Sequence, residues 1–529
     1  MDIRIHVKEP IRYTVKSITI EGNTLFPTEK ILEWITLRPG MPASEKMTGD
    51  SLKTVKNRYA EQAFIMARIS HEWVQDAPED VGELSLRVKI EEGGKVRVGR
   101  IDIISNSKTQ DEVIRREMRD FAPGEFYNED KINRGVERLY GSQYFSRGAI
   151  KFYHEPGRDE MTRNVKIEVE EGRTGSLRFL GGYSSSFGFL GVIEVTQHNF
   201  DIADTPDTFA DLLSGEAFVG AGQIFRLRIM PAQRRQSYTA EFREPYLFGE
   251  DVGMTLRGFD VSTDRSSWRE ETRGGAVAFD KRWDELIASI TLNGFEVEID
   301  QVENDAPRGI LDIEGIRSLI SLTPGVSYDT RDSASIPTQG FLGEGAVEFA
   351  GGFLPGDFDF YKADVGAEYH HTLYEAEERN KLSRYVLSGR VNLGYSQPFG
   401  DSDDVPIFRR FFAGGRSSIR GYAFRGMGPH EGDDPIGGKV LAIASVEYSM
   451  PFFFDILRVA TFYDVGTVAN SISEVGDTGG EFRHVAGFGF RVIIPFLGNT
   501  PIALDFGFPL NDIDGDDEQL VTFDIGRLF

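Results

Sequence analysis

From residue 174 onward the chain is a succession of short segments, each of about ten residues, in which apolar and polar side chains alternate. They are Ser176–Ser186, Leu190–Phe200, Gln223–Pro231, Ser237–Tyr246, Val252–Val261, Arg273–Trp283, Leu286–Ile299, Ile316–Asp329, Phe341–Phe353, Asp359–Tyr374, Leu382–Ser396, Lys439–Met450, Ile456–Thr467, Phe482–Pro495, Pro501–Phe508 and Leu520–Phe529. Clusters of Gly, Pro, Asp and Asn separate them. A period of two gives each strand two faces of different character. The count is about sixteen, an even number, as a single-chain bacterial membrane barrel requires. Such a barrel spans with strands of ~9–11 residues and needs no long apolar run. The mean hydropathy of −0.30 is compatible with it.

The gaps support the same reading. Ser262–Thr272, Asp300–Gly315, Gln397–Gly438, Ala469–Glu481 and Pro509–Gln519 are long and acidic, and all follow odd-numbered segments. Most gaps after even-numbered segments are short, such as 284–286 and 496–500. Long loops on one side and short turns on the other are the outer-membrane pattern. The exceptions are Asp201–Gly222, in which 208–218 reads as a short helix, and moderate gaps near 330–340 and 375–381.

Before residue 174 the pattern is mixed and repeats. Tyr13–Ile20 alternates as a strand, Pro27–Thr36 and Ser44–Phe64 have helical spacing, and Phe64–Val74 and Val81–Glu91 are strands again. The same β-α-α-β-β order returns in Val96–Ser105, Gln110–Phe121, Glu129–Tyr144, Gly148–Glu155 and Arg163–Glu171. Two modules of roughly eighty residues form a repeat array. IRIHVKEP (3–10) looks like the closing strand of a further copy, which suggests a chain trimmed from a longer one. The expected domains are a remnant strand at 1–11, modules at 12–93 and 94–173, and an all-β, 16-stranded antiparallel transmembrane barrel at 174–529.

Composition removes whole classes. Lys+Arg is 59 against 84 Asp+Glu, a net charge of −25, so no nucleic acid is expected as a partner. With no cysteine there is no disulfide, thiolate metal site or thiol nucleophile. NDIDGDDEQ (511–519) lacks full calcium-loop spacing and reads as an acidic outer loop. His370 and His371 point to opposite faces of a strand and cannot share a metal. No Ser-His-Asp, paired-carboxylate or P-loop arrangement stands out, so neither an enzyme, a metal nor a cofactor is expected.

Several stretches resemble the outer-membrane assembly-factor superfamily, and specifically its BamA family. The repeats are similar to POTRA modules. YSSSFGFLGVIEVTQHNF (183–200), FREPYLF (242–248), YDTRDSASIPTQG (328–340), GGRSSIRGY (414–422), FYDVG (462–466), GFGFRVIIP (487–495) and VTFDIGRLF (521–529) match family segments in order and spacing. The resemblance implies an outer-membrane barrel with periplasmic POTRA modules. Its implied partners are unfolded outer-membrane protein clients, accessory lipoproteins and outer-membrane lipid. It further implies that the loop bearing Arg420, Gly421 and Tyr422 folds into the lumen, where Arg420 meets Asp464 of the barrel wall.

A lateral seam is expected between the first and last strands. On the first strand it comprises Leu177, Phe179, Gly181, Gly182 and Tyr183, with the glycines and the run Ser184–Ser186 weakening its packing. On the last it comprises Phe523, Ile525, Gly526 and Phe529, where Val521, Phe523, Ile525 and Phe529 form a lipid-facing stripe. Three functions remain open. One is an insertase that folds client barrels by templating a strand at this seam. Another is a polypeptide-secretion pore of the two-partner type. The third, an ordinary porin, has no need of POTRA repeats.

Overall fold

The computed structural model describes residues 13–75, 82–208, 210–211, 215–378, 381–453, 457–477, 480–494, 500–511 and 513–525. The expected remnant strand at 1–11 lies outside them. The chain divides into two compact units, one running to Thr174 and including His198–Gly222, the other formed by Gly175–Gln197 and Gln223–Phe529.

In the first module β1 (Thr14–Glu21), α1 (Thr28–Trp34), α2 (Glu45–Glu61), β2 (Arg68–Val74) and β3 (Glu83–Glu91) follow in order. The sheet order is β1–β3–β2, with β1 parallel to β3 and β2 antiparallel to it. A parallel pair requires a crossover, which the two helices provide while covering one face. α2 starts at Ser44, whose side chain accepts from the Met47 amide. Its Leu52, Val55 and Tyr59 are buried against Val15, Leu86 and Val88. The second module repeats this with β4 (Arg97–Ile104), α3 (Asp111–Glu117), α4 (Glu129–Gly141), β5 (Ile150–Pro156) and β6 (Thr162–Val169). Asn128 caps α4 as Ser44 caps α2.

One device recurs at the same place in both modules. The closing strand ends in Glu-Glu-Gly, and the second glutamate bends back onto the loop after the first strand. Glu92 accepts from the amides of Thr24 (2.6 Å) and Leu25 (2.8 Å) and from the Tyr59 hydroxyl (2.8 Å). Glu171 accepts from the amides of Thr109 (2.6 Å) and Lys108 (2.9 Å) and from the Ser107 hydroxyl (2.8 Å). Burial alone would raise both carboxyl pKa values, but these donors outweigh it and hold both below the usual carboxylate range.

The gap 201–222, too long for an inner turn, belongs with the second module. The Asn199 side chain donates to Thr109 Oγ1 (2.9 Å) and accepts from the Gly222 amide (2.9 Å), and the Gln110 side chain donates to Asp201 (2.8 Å). Within the expected helix at 208–218, residues 210–211 are helical, while 209 and 212–214 lie outside the described residues.

The barrel strands are β7 (Gly175–Ser184), β8 (Gly188–Phe200), β9 (Gln223–Pro231), β10 (Arg235–Glu244), β11 (Gly253–Asp264), β12 (Arg269–Trp283), β13 (Leu286–Asp300), β14 (Gly315–Asp329), β15 (Gly340–Ala350), β16 (Phe360–Glu378) and β17 (Lys381–Pro398). After a long loop holding the two-residue strands β18 (Gly421–Tyr422), β19 (His430–Glu431) and β20 (Asp434–Pro435) come β21 (Val440–Phe453), β22 (Leu457–Ala469), β23 (Arg483–Ile494) and β24 (Thr500–Pro509). The short β25 (Glu518–Gln519) then precedes β26 (Val521–Ile525). Sixteen strands make one antiparallel sheet, and among the described residues it ends at β7 and β26.

Its faces are inverted relative to a soluble protein. Leu256, Leu292, Val365, Leu393 and Val446 are exposed on the outside, while Ser321, Glu348, Ser445, Asp464 and Asp505 are buried inside. That is the arrangement of a wall between lipid and a polar lumen. The expected gap Ser262–Thr272 shrinks to 265–268, because β11 and β12 pair on through Asp264 and Arg269. There the side chains form ion pairs, Arg265 with Glu270 (3.2 Å) and Arg269 with Asp264 (3.9 Å). A ladder needs only backbone groups, so it continues where charge replaces apolar alternation. The gap 375–381 closes for the same reason, with Glu378 pairing to Lys381.

Glu92→Gln should destabilise the first module by about 1–3 kcal/mol, the cost of weakening a carboxylate that satisfies several donors. Trp34 and Trp73, two of the four tryptophans, lie in or against that module's core and report its urea midpoint by fluorescence. Because the folded pKa is depressed, the stabilisation is complete above the unfolded value of about 4.3 and lost as pH falls through the folded value. The difference between wild type and variant should therefore be largest near neutrality and close in acid.

Candidate functional site

The loop between β17 and β21 turns back into the barrel, and its positive-φ glycines permit the reversal. Gly414, Gly415 and Gly421 have φ of 108°, 85° and 90°, a region that a Cβ disfavours. A Cβ on Gly421 would also stand 3.0 Å from Val485 Cγ1 and 3.2 Å from the Gly507 carbonyl carbon. Two facing glycines thus let the loop backbone lie directly on β24. Tyr422 is buried with Ile419, Met427, Ile443, Phe462 and Val485.

Arg420 is 5% exposed and Asp464 fully buried. The guanidinium engages the carboxylate through both oxygens, Nε to Oδ2 at 2.7 Å and Nη2 to Oδ1 at 2.6 Å, and the Arg420 amide adds a third bond at 3.1 Å. Ser445 donates to Asp464 Oδ1 (2.6 Å) and accepts from Arg420 Nη2 (3.1 Å). The Phe462 ring lies 3.4 Å from the guanidinium carbon. This is a desolvated fork with its remaining donors satisfied, the condition under which a buried pair holds.

The pair is one end of a chain of alternating charge. Glu447 bridges Arg420 and Arg491. Asp505 bridges Arg491 (2.6 Å) and Arg416 (3.3 Å). Ser445 and Glu447 come from β21, Asp464 from β22, Arg491 from β23 and Asp505 from β24, all at inward positions. Sequence reasoning missed Glu447, Arg491, Asp505 and Arg416. The signal was a lone charge set among apolar or aromatic residues, as in SVEYS, GFRVI and ALDFG.

The acidic stretch near 511–519 does specific work. β18 pairs with β25, Gly421 opposite Gln519 and Tyr422 opposite Glu518. The Ala423 amide donates to the Asp517 carbonyl (2.8 Å). Asp516 is locked by Arg483 (2.7 and 2.9 Å) and accepts from the Gly428 amide (3.1 Å). The loop is therefore held from below by the barrel wall and from the side by the segment that leads into the last strand.

At the seam, Leu177, Phe179 and Tyr183 are exposed, Phe179 to 70%, and Gly181 and Gly182 pair with Gly191 and Leu190 of β8. Phe523 meets the turn after β7: its carbonyl accepts from the Ser185 amide (3.2 Å), and its amide donates to the Ser185 hydroxyl (3.1 Å). The Ser184 hydroxyl donates to Asp524 (2.6 Å). Ile525 contributes backbone pairing to Ile502. Gly526 and Phe529 lie outside the described residues.

Arg420→Ala should cost about 3–5 kcal/mol of loop anchoring, since it leaves a buried carboxylate unpaired. Asp464→Ala should cost a similar amount, and the double variant little more than either. Proteolysis of the loop 399–439 in detergent, followed as a double-mutant cycle, measures this; additive losses would show that the two side chains act separately.

The comparisons with known proteins agree with this architecture. The Omp85 superfamily domain matches residues 218–529, and the POTRA domain, described as a surface antigen variable number repeat, matches 13–93 and 96–172. Outer membrane protein assembly factor BamA of Nitratidesulfovibrio vulgaris is 28% identical over 99% of this chain and 63% of its own length. BamA of Neisseria meningitidis serogroup B is 25% identical over 100% of this chain and 68% of its own length. The chain thus spans about two thirds of these relatives. The crystal structure of BamA from Haemophilus ducreyi lacking POTRA domains 1–3 superimposes with a TM-score of 0.74 at 18% identity, over 97% of this chain and 99% of that one. CdiB from Acinetobacter baumannii reaches 0.52 at 15% identity, over 98% and 90%. The barrel lies in a bacterial outer membrane with its POTRA domains in the periplasm. The chain belongs to the Omp85 superfamily.

Proposed function

We propose that this protein assembles other β-barrels in the outer membrane, offering its own first strand as a template at the seam between β7 and β26. The observation that carries this reading is the way the sheet ends. The sheet begins at β7 and ends at β26, and over the described residues Val521–Ile525 the two meet where the Ser184 hydroxyl donates to Asp524 and where Ser185 exchanges bonds with Phe523. An unpaired edge in lipid is costly for a client strand, and a borrowed edge removes that cost. The client's own folding then supplies the driving free energy, with no nucleotide or cofactor. The lumen is occupied by the anchored loop, which favours the seam over the lumen as the route and so favours assembly over polypeptide secretion. The relatives named as assembly factors support the same role.

Among the described residues β2 and β5 are edge strands of their sheets, which suits strand addition by client chains or accessory lipoproteins. Proline substitutions across Arg68–Val74 should weaken client or lipoprotein binding, because each removes a backbone donor. Unchanged capture of unfolded barrel chains would count against that docking.

Ser184→Cys with Asp524→Cys places the only two thiols of the chain across the seam, where their side chains already touch. Proteoliposomes carrying the wild type should speed the folding of an unrelated barrel. The oxidised pair should lose that activity and regain it on reduction. Leu256→Cys with Val277→Cys, facing positions of β11 and β12, should leave it intact. Full activity with the seam locked would refute opening there, and passage of a dedicated exoprotein without barrel folding would identify a secretion pore.

A further inference from the structure

The two POTRA modules differ at one place where the backbone around it is the same. In each, the chain just before the second helix lies antiparallel against the first strand and adds one rung to the sheet. In the first module Thr14 faces Pro42, and the Val15 and Ala43 amides donate to the Met41 and Tyr13 carbonyls (both 2.8 Å). In the second Arg97 faces Phe126, and the Val98 and Tyr127 amides donate to the Glu125 and Val96 carbonyls (both 2.9 Å). In this register Pro42 and Phe126 turn their own backbone groups away from the sheet. Proline has no amide hydrogen to offer there, which blunts the edge of the first module. Phe126 has one, and among the described residues neither its amide nor its carbonyl is hydrogen-bonded. The side chains beside this open rung are cationic. Phe126 is 45% exposed, with the Arg97 guanidinium carbon 4.0 Å and Lys95 Nζ 5.4 Å from its ring centre. Arg97 donates to the Gly124 carbonyl (2.7 Å), and among the described residues neither it nor Lys95 forms an ion pair. The carboxylates nearby are taken by other cations, Glu125 by Lys131 (2.9 Å) and Glu61 by Arg58 (3.1 Å). All but Arg58 line a groove of about 600 Å³.

We propose that the rung at Phe126 is a docking edge for an extended polypeptide segment that carries carboxylate side chains. The backbone selects a polypeptide. A donor and an acceptor on one residue, both aimed outward, are what an added antiparallel strand pairs with. The side chains select the charge. The residue of the incoming strand that pairs with Phe126 places its side chain on the same face as Phe126 and Arg97. A Glu or Asp at that position lies against the ring and reaches the two cations. A Lys there meets two like charges. An anionic lipid headgroup uses the cations but leaves the amide and carbonyl of Phe126 idle. The exposed ring gives the incoming segment apolar area to cover, and it is held in place by the guanidinium stacked on it. Pro42 shows that the same rung has been closed in the sister module, where a threonine stands in place of Arg97. The inference depends neither on assembly activity nor on opening of the seam.

Fluorescence anisotropy of a labelled ten-residue peptide alternating Val and Glu, titrated with the detergent-solubilised full chain, tests it. A second peptide with Gln in place of Glu is the comparison. The Glu peptide should bind about fivefold more tightly than the Gln peptide, the size expected of exposed ion pairs. Phe126→Pro removes the outward donor and should weaken both peptides about fivefold, the worth of one hydrogen bond. Pro42 at the equivalent place shows that the module accommodates a proline there. Lys95→Gln combined with Arg97→Gln leaves the backbone intact. It should erase the preference for Glu over Gln while the Gln peptide binds as before, so the result does not rest on the proline variant. Phosphatidylglycerol added to the micelles should not displace the peptide. Equal affinity for the two peptides, unchanged binding to Phe126→Pro, or a preference for Glu that survives in the double variant would overturn the proposal. Displacement by phosphatidylglycerol would overturn it in favour of a lipid site.

Discussion

A sheet in hydrocarbon has nowhere to leave an unpaired edge, and everything in the second unit follows from that constraint. It requires closure, and closure with alternating side chains forces one face into lipid and the other into a lumen. The lipid face is simple: Leu292, Val365, Leu393 and Val446 need only be apolar. The lumen face is harder, since polar side chains there are removed from bulk water once the loop fills the space. The structure meets that with paired charges rather than apolar packing. Arg416, Asp505, Arg491, Glu447, Arg420 and Asp464 alternate in sign, and each carboxylate serves at least one guanidinium.

That choice has an energetic meaning. A buried ion pair gives little net stability compared with apolar residues of the same volume, but removing one partner is expensive. Such a network specifies position more than it stabilises. Arg420 reaches Asp464 only if Gly421 lies against Gly507 and the loop backbone lies on β24. An apolar plug would slide; a forked pair at 2.6 and 2.7 Å does not.

Much of this was legible in the residues, for identifiable reasons. Period-two alternation survives wherever one face meets lipid, so the strands from β13 to β15 could be read nearly to their ends. It fails where strands leave the hydrocarbon, and there β11 and β12 run on through Asp264 and Arg269 unannounced. The POTRA order was visible because helix and strand periods differ. The clamp by Glu92 and Glu171 was hidden, although both close the same Glu-Glu-Gly motif, because a carboxylate turned toward backbone amides resembles a solvated one. The destination of 201–222 was hidden too, since Asn199 and Asp201 look like ordinary turn residues. Within the site, Arg420 and Asp464 stood out only through family resemblance. Glu447, Arg491 and Asp505 are single charges whose partners lie on neighbouring strands, and pairing across strands cannot be read along one of them.

The loop and the seam are mechanically joined, and the join is short. β18 begins at Gly421, the residue after Arg420, and pairs with β25, which ends one residue before Leu520 and two before Val521 of β26. The Gly507 amide donates to the Leu520 carbonyl, fixing that point to β24. The last strand therefore leaves a firmly held origin, and over Val521–Ile525 it meets Ser184 and Ser185 at the first strand and its turn. Among the described residues, displacing β26 from β7 breaks contacts at Ser184 and Ser185, each worth about 0.5–1.5 kcal/mol. Displacing it from its origin means breaking the β18–β25 pairing, the Asp516–Arg483 fork and the Arg420 network together. Anchoring the loop therefore also fixes the start of the last strand, while the contacts of that strand with Ser184 and Ser185 form a separate set.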